Sequence, residues 1–552
     1  MNIQHDQSLR LPCSEGPPIR RAWLLAAGAF IGLLYLAGVV NAWWPTPDSA
    51  LYRCLGRNLI AGKGYVFNGQ GHTTVAPGLP VLLGLTERLA GPGAIWAQNL
   101  LMCLAGLAGL AVAYAALRRM VGPRVAAAAV VATGLCGVYY LHSHLILTDA
   151  PFVLLFWSVF YCGRRMLAGS WAWAAAVAAL CVLAILIRLP GLAILGPLAV
   201  AFAVEKFPPP AARRLAVGGV ILAAIAASTG AFYLIVRSIY HEPSLYVTVH
   251  LAENHGLLFR LGQLAALATR LPDAVGEIFT NSQATWACLL GCPLLALITV
   301  GLARLWRRGL RTPAVAIVLS TVTMAIGAAT IADKARYYVP LLPLICLGLI
   351  EGVVAAAEWV CRITRQAASG RMRTWAMLMT LAVIAAVNGP DLARQAFYYS
   401  YQAYRGRYLD VIAGGAYVDL YATGEYLREN VRPGDKVLVR PDRVRMLHLL
   451  SGKLIDPMYD FGVNNPWNAE QADTAYRDLL ARPAVDVVLD APGGLDARYT
   501  SRLRRLLDTT GGLRPVRQVG AVRIYRRTGP LTPSTELAPS TKPAPSTMSG
   551  AS

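Results

Sequence analysis

The sequence predicts an all-α polytopic membrane domain of about eleven transmembrane helices followed by a small soluble α/β domain. Three observations carry this expectation. The chain of 552 residues is 56% hydrophobic and only 15% charged, with a mean hydropathy of +0.47, more apolar surface than soluble cores can hide. Apolar runs of span length alternate with short connections rich in arginine. After about residue 395 the composition turns ordinary and soluble.

The first run, Ala22 to Trp44, follows Arg20 and Arg21 and has no small-residue cleavage site before Trp43 and Trp44. It is too long for a signal-peptide core, so it reads as an uncleaved anchor behind a cytoplasmic tail, 1–21. A span needs about 20 apolar residues for about 30 Å of hydrocarbon. On that measure spans fall near 22–44, 94–116, 125–141, 150–163, 171–187, 189–204, 215–237, 284–303, 313–331, 338–360 and 375–389. Together they make a membrane domain over 22–390. Val75 to Leu89 is broken by Pro77, Gly78 and Pro80 and ends in Glu87 and Arg88, which suits an interfacial or re-entrant segment.

Arginine and lysine then orient the spans. One alternating set of connections holds Arg20 and Arg21, Arg118, Arg119 and Arg124, Arg164 and Arg165, Lys206, Arg213 and Arg214, Arg304, Arg307, Arg308 and Arg311, and Arg362, Arg365, Arg371 and Arg373, and reads as cytoplasmic. The opposite set (45–93, 142–149, Arg188, 238–283 and 332–337) is poorer in positive charge and reads as external. An odd number of spans exports the C-terminal part.

In 395–528, Thr423–Asn430 has a helical pattern and Lys436–Arg440 and Val485–Asp490 read as buried strands. Trp467–Leu480 and Tyr499–Leu507 read as amphipathic helices and Val522–Tyr525 as a last strand. The stretch 529–552 is rich in Pro, Ser and Thr and is expected to be disordered.

The net charge of +21 comes from short clusters between apolar runs, without the basic, aromatic-interleaved segments of nucleic-acid binders. The ten cysteines lie mostly inside apolar runs and form no CxxC pair, which argues against structural disulfides and a cysteine metal site.

Ionisable residues cluster at the external face. Asp48 follows the boundary tryptophans, at headgroup depth, where a carboxylate serves as a general base or a metal ligand; it could equally cap the helix that follows. His142, His144 and Asp149 share one short turn. Thr148-Asp149 before Ala-Pro151 makes a good helix cap, and the alternative is a metal or phosphate site shared with Asp48. Lys334 and Arg336 stand where a lipid phosphate would lie, or act as snorkelling anchors. Arg188, between two apolar runs and before Pro190, is a charge that needs a partner or a function. His72 and Val75-Ala-Pro77-Gly-Leu-Pro80 shape the far end of the first loop.

In this order the motifs resemble the GT-C fold glycosyltransferases, especially the RgtA-like, protein mannosyltransferase and aminoarabinose transferase group, which uses polyprenyl-phosphate sugars. The matching text is Pro47-Asp48-Ser-Ala-Leu-Tyr52, Asn58-Leu-Ile-Ala-Gly62-Lys-Gly64-Tyr65, Ala76-Pro77-Gly-Leu-Pro80, Leu147-Thr148-Asp149-Ala-Pro-Phe152, Arg188 and Arg336-Tyr337-Tyr338-Val339-Pro340. The tail adds Tyr426-Leu-Arg-Glu-Asn430, Pro433-Gly-Asp435 and Ile524-Tyr525. Many relatives carry Asp-Glu where this chain has Asp48-Ser49, and the aminoarabinose enzymes carry a lysine where Val75-Ala76 stands.

The resemblance implies an integral membrane enzyme moving a sugar from a polyprenyl-phosphate donor to an acceptor hydroxyl of a cell-envelope glycan, lipid or protein. Its catalytic loop would be 45–93, with Asp48 and Asp149 as the acidic site residues. Arg336, Lys334 and Arg188 would face the donor phosphate, with Tyr52, His72 and Tyr337 near the substrate. A divalent metal, if used, would draw on Asp48, Asp149 and His144. The competing classes are a secondary transporter, which needs mid-span ionisable groups and repeated halves, and a lipid-carrier glycan ligase or polymerase.

Overall fold

A computed structural model of the chain describes residues 21–72, 75–205, 210–240, 257–281, 285–327, 335–364, 370–412, 416–432, 435–439, 443–457, parts of 473–480, 486–489, 497–509 and 511–532. The chain is mostly helical and divides into two units. One comprises 1–44, 55–65 and 71–408; the other gathers Pro45–Cys54, Val66–Gln70 and 409–552.

The first unit is a helical array. Its elements are α1 (Arg21–Ala37), the C-terminal part of α2 (Pro47–Ile60), α3 (Gly78–Ala90), α4 (Ile95–Val121), α5 (Pro123–Leu135), α6 (Gly137–His142), α7 (Asp149–Leu167), α8 (Trp173–Ile187), α9 (Leu192–Ala203) and α10 (Ala211–Tyr240). Then follow α11 (Leu257–Thr280), α12 (Thr285–Arg307), α13 (Thr312–Gly327), α14 (Leu342–Ile363), α15 (Gly370–Ala393), a π-helical turn over Arg394–Tyr398, and α16 (Tyr399–Tyr404). Among the described residues, five helical stretches are long and apolar enough to cross a membrane: Ile95–Val121, Ala211–Ala231, Leu289–Arg307, Ala335–Ile363 and Gly370–Tyr404. Leu25, Leu33, Leu215, Leu289 and Val383 point outward with large exposed areas, as lipid-facing side chains do.

Three expectations change. The run 125–141 is two helices, because the chain leaves helical geometry at Cys136 (φ −72°, ψ 125°). The Gly137 N–H freed there finds a partner in buried Asn388, whose Oδ1 accepts from it at 2.8 Å and whose Nδ2 donates to the Phe279 carbonyl of α11 at 2.7 Å. The interval 238–283, expected to be a loop, contains α11, whose Ala274, Val275, Ile278 and Phe279 are buried while Arg270 is exposed. Its amphipathic pattern escaped a search for uniformly apolar runs. The expected span at 338–360 starts instead as a 3-10 turn over Ala335–Leu341, in a segment where Pro340 and Pro343 lack the N–H of a regular helix. Most of Val75–Leu89 lies in α3 (Gly78–Ala90), whose 13 residues reach about 20 Å and are too short to cross.

Two helices that pack backbone to backbone are α12 and α14. A Cβ at Gly301 would overlap the Gly348 carbonyl oxygen, and one at Gly352 would overlap that of Leu297. Gly348 and Gly352 stand four apart on α14, the small-residue spacing that lets two helix backbones touch in lipid.

The second unit is an α/β layer with α17 (Tyr408–Ile412) at its entry. Its sheet has the order β4-β3-β5-β7-β6, with β3 (Lys436–Val439), β4 (Leu454–Pro457), β5 (Asp486–Leu489), β6 (Gly511–Val519) and β7 (Val522–Thr532). β3 is parallel to both β4 and β5, and β7 is antiparallel to β5 and β6. Val437, Leu438, Val439 and Ile455 are buried, as an apolar run in a covered parallel strand should be. Helices α18 (Ala416–Asn430), α19 (Val444–Ser451) and α20 (Ala497–Thr509) supply Leu427, Leu447, Leu503 and Leu507 to the core. β7 runs on to Thr532, into the stretch expected to be disordered; the rest of that stretch and most of Trp467–Leu480 lie outside the described residues. A two-residue ribbon, β1 (Val66–Phe67) with β2 (Gln70–Gly71), turns at Asn68 (φ 53°).

Candidate functional site

In the helical unit, four elements converge on one carboxylate. Asp149 opens α7 and is fully buried. Arg188 donates through Nη1 to its Oδ1, and Arg336 donates through Nε to Oδ2 at 3.0 Å. His142, closing α6, holds its Nδ1 at 3.6 Å from the same Oδ2. Local sequence explains each placement. Pro190 lacks the N–H that would continue α8 and its ring would clash with the carbonyl four residues back, so the helix ends at Ile187 and Arg188 takes an extended conformation (φ −148°, ψ 101°). The 3-10 turn carrying Arg336 is tied to α7 by Trp157, whose indole N–H donates to the Pro340 carbonyl at 3.1 Å. Tyr337 lies beneath both guanidinium groups, 5.1 Å from Arg188 and 6.0 Å from Arg336 to the ring centre.

The helix-cap alternative for this turn is not realised. Thr148 stands before α7 without a side-chain cap bond, and the Asp149 carboxylate turns to the two arginines. Two buried or part-buried cations on one buried anion leave net positive charge, and the side chain of Arg336 is 26% exposed against 5% for Arg188. The arrangement can hold an anion such as a phosphate beside Arg336. Lys334 lies outside the described residues.

His144 points elsewhere. Both its ring nitrogens sit 2.8 Å from backbone carbonyls, those of Tyr140 and Tyr35, and its ring stacks on Tyr140 with 4.2 Å between centres. With Asp149 engaged by arginines, the set Asp48, Asp149 and His144 does not fit a metal centre, and among the described residues no three His, Cys, Asp or Glu gather into one. His72 packs edge-on against Tyr65, 6.1 Å between ring centres.

In the second unit Asp48 occupies the first turn of α2, but it does not cap it. Thr46 does: its Oγ1 accepts from the Ser49 N–H at 3.1 Å, and the Ser49 Oγ accepts from the Thr46 N–H at 3.1 Å, a reciprocal capping box. The Asp48 carboxylate instead receives Nη1 of Arg445 at 2.8 Å, both side chains 39% exposed. Tyr52, one turn on, is buried. Arg445 has no motif around it, and only the folded chain reveals it.

Arg445 shares a face of α19 with His448, three residues on. His448 Nδ1 donates to the Lys453 carbonyl at 2.7 Å and its Nε2 accepts from the Asn68 N–H at 3.3 Å, so the hydrogen-bond network assigns the neutral Nδ1–H tautomer. Burial pushes the imidazole below its ordinary range, opposed by the bond to Lys453. The side-chain amide of Asn68 bonds to the edge of β4: its Oδ1 accepts from the Ile455 N–H at 2.8 Å and its Nδ2 donates to the Ile455 carbonyl at 2.5 Å.

No family profile matches the chain, and no curated protein matches it in sequence. Solved structures do. The chain is similar to ArnT from Cupriavidus metallidurans bound to undecaprenyl phosphate, at 14% identity over 94% of this chain and 100% of that one, with a TM-score of 0.55. It is also similar to the Archaeoglobus fulgidus oligosaccharyltransferase tethered to an acceptor peptide (14% identity, 95% of this chain, 75% of that one, TM-score 0.53). The same enzyme in complex with zinc and sulfate matches at 14% identity over 91% of this chain and 73% of that one, TM-score 0.51. At this identity the likeness is one of fold: the chain has the GT-C fold of these membrane glycosyltransferases, as its motifs led us to expect.

Proposed function

We propose that this GT-C chain is an integral membrane glycosyltransferase that moves a sugar from a polyprenyl-phosphate donor to a hydroxyl of a cell-envelope acceptor, a glycan, lipid or protein. The observation that carries the proposal is the arginine pair held on Asp149, a preformed cationic site of the kind a phosphate leaving group needs. Arg336, the more exposed of the two, binds the donor phosphate, and Asp149 and Arg188 hold it in place.

The reaction is an inverting displacement. The acceptor oxygen bonds to the anomeric carbon as its proton passes to Asp48, and the bond from that carbon to the phosphate oxygen breaks on the opposite face. Polyprenyl phosphate leaves as a stable anion, so the protonated carboxyl group that glycosidases need is not required. The sugar reaches the reaction in lipid, which accounts for an enzyme with helices of membrane length. The charge of the connecting loops supports a cytoplasmic N-terminus and an external location for the loops that carry Asp48, Asp149 and Arg336.

The test is purified protein incubated with a panel of polyprenyl-phosphate sugars, reading release of polyprenyl phosphate. Turnover with one donor, lost in Arg336→Gln, is the expected result. Silence with every donor would overturn the reading in favour of transport.

A further inference from the structure

We infer that Arg445 is the positioning residue for the Asp48 carboxylate. This inference rests on the assignment of Asp48 as base. Three observations support it.

The pair spans 397 residues of sequence and is half-exposed, where ion pairs add little stability, so holding the fold together does not account for it. Neither end of it is loose. Asp48 sits in a helical turn fixed by the Thr46–Ser49 capping box. Arg445 sits on a helix whose same face grips the other end of the first loop, through His448 on the Asn68 N–H and against the Phe67 ring, 5.0 Å between ring centres.

The second tie is of a kind that sets distance. The side-chain amide of Asn68 makes two hydrogen bonds to the backbone of one residue, Ile455, on the β4 edge. Segments 45–54 and 66–70 therefore belong to the C-terminal unit at both ends. A carboxylate that must meet a hydroxyl within about 3 Å gains from a partner that fixes its rotation. A guanidinium bonded to Oδ1 does this, and it sits on an element anchored to the same loop. By this account Arg445 acts on transfer through Asp48.

The experiment compares wild type, Asp48→Asn, Arg445→Ala, Arg445→Lys and Asn68→Ala on a donor that wild type turns over, with a melting curve and gel filtration for each. The inference expects kcat to fall about tenfold or more in Arg445→Ala with KM for the donor unchanged. It also expects partial recovery in Arg445→Lys, and recovery of Arg445→Ala by added guanidinium ion, which a merely structural role would not show. Asn68→Ala should lower kcat in the same way. A wild-type rate in Arg445→Ala, beside an inactive Asp48→Asn, overturns the inference and leaves the base intact. So does a slow Arg445→Ala that melts lower and is rescued by neither lysine nor guanidinium. An active Asp48→Asn would overturn the base assignment, and the inference with it.

Discussion

The guanidinium of Arg336 reaches across 187 residues of sequence to bond the Asp149 carboxylate, which Arg188 holds from its other oxygen. Removing the carboxylate strands a buried cation, because Arg188 is 5% exposed. Breaking one side of a buried pair costs about 3–5 kcal/mol. Asp149→Asn should therefore lower the melting temperature in detergent markedly, and Asp149→Asn with Arg188→Gln should recover part of the loss. Equal melting of wild type and the single variant would mean the cluster does not stabilise the fold.

Asp48 and Thr46 should separate cleanly. Thr46→Ala removes the helix cap and should destabilise by about 1 kcal/mol while transfer persists. Asp48→Asn should abolish transfer while leaving expression and melting near wild type, since its ion pair is half-exposed. A Thr46→Ala protein as inactive as Asp48→Asn would mean that the turn itself, not the carboxylate, is what transfer needs.

Acid should loosen the Asn68 contact. His448 has a folded pKa below its unfolded value, so its contribution is present above the unfolded pKa, about 6.5, and is lost as pH falls through the folded value. Protonation also places a second donor, Nε2–H, against the Asn68 N–H. Melting of wild type should fall between pH 7 and about 5, and His448→Gln should flatten that slope. Parallel slopes would assign the acid sensitivity to another group.

The glycine contact between α12 and α14 admits no side chain. Gly352→Leu should destabilise by about 1–3 kcal/mol or more, whereas the same change at Gly219, which has nothing within 4 Å of its Cβ position, should be tolerated. Melting curves of the two variants make the comparison.

Much of the helical array could be read from apolar runs, because lipid demands them. What escaped had a different physical basis. Helix α11 is amphipathic rather than apolar, and the break at Cys136 depends on Asn388, which no local pattern announces. The Asp149 site was legible in part: a lone Arg188 between apolar runs requires a partner, and the fold supplies it. Arg445 was not legible, since its role exists only through Asp48, far away in sequence. Reading Asp48 as a cap failed for a local reason: Thr46 takes that position two residues earlier.

The π-helical turn at Arg394–Tyr398 has a consequence for indels in this chain. A π turn holds one residue more than its α-helical equivalent, and each residue of a helix turns the next by about 100°. Beyond it, Tyr399 packs on Trp44 at 6.0 Å and the Ser400 Oγ donates to the Ala37 carbonyl at 2.7 Å. Deleting one residue from that turn would restore a regular helix and leave both side chains in phase, whereas a deletion between the turn and Ser400 would swing the Ser400 side chain by about 100° away from Ala37. The turn is the place where this helix takes up a change of one residue in length without altering the phase of α16.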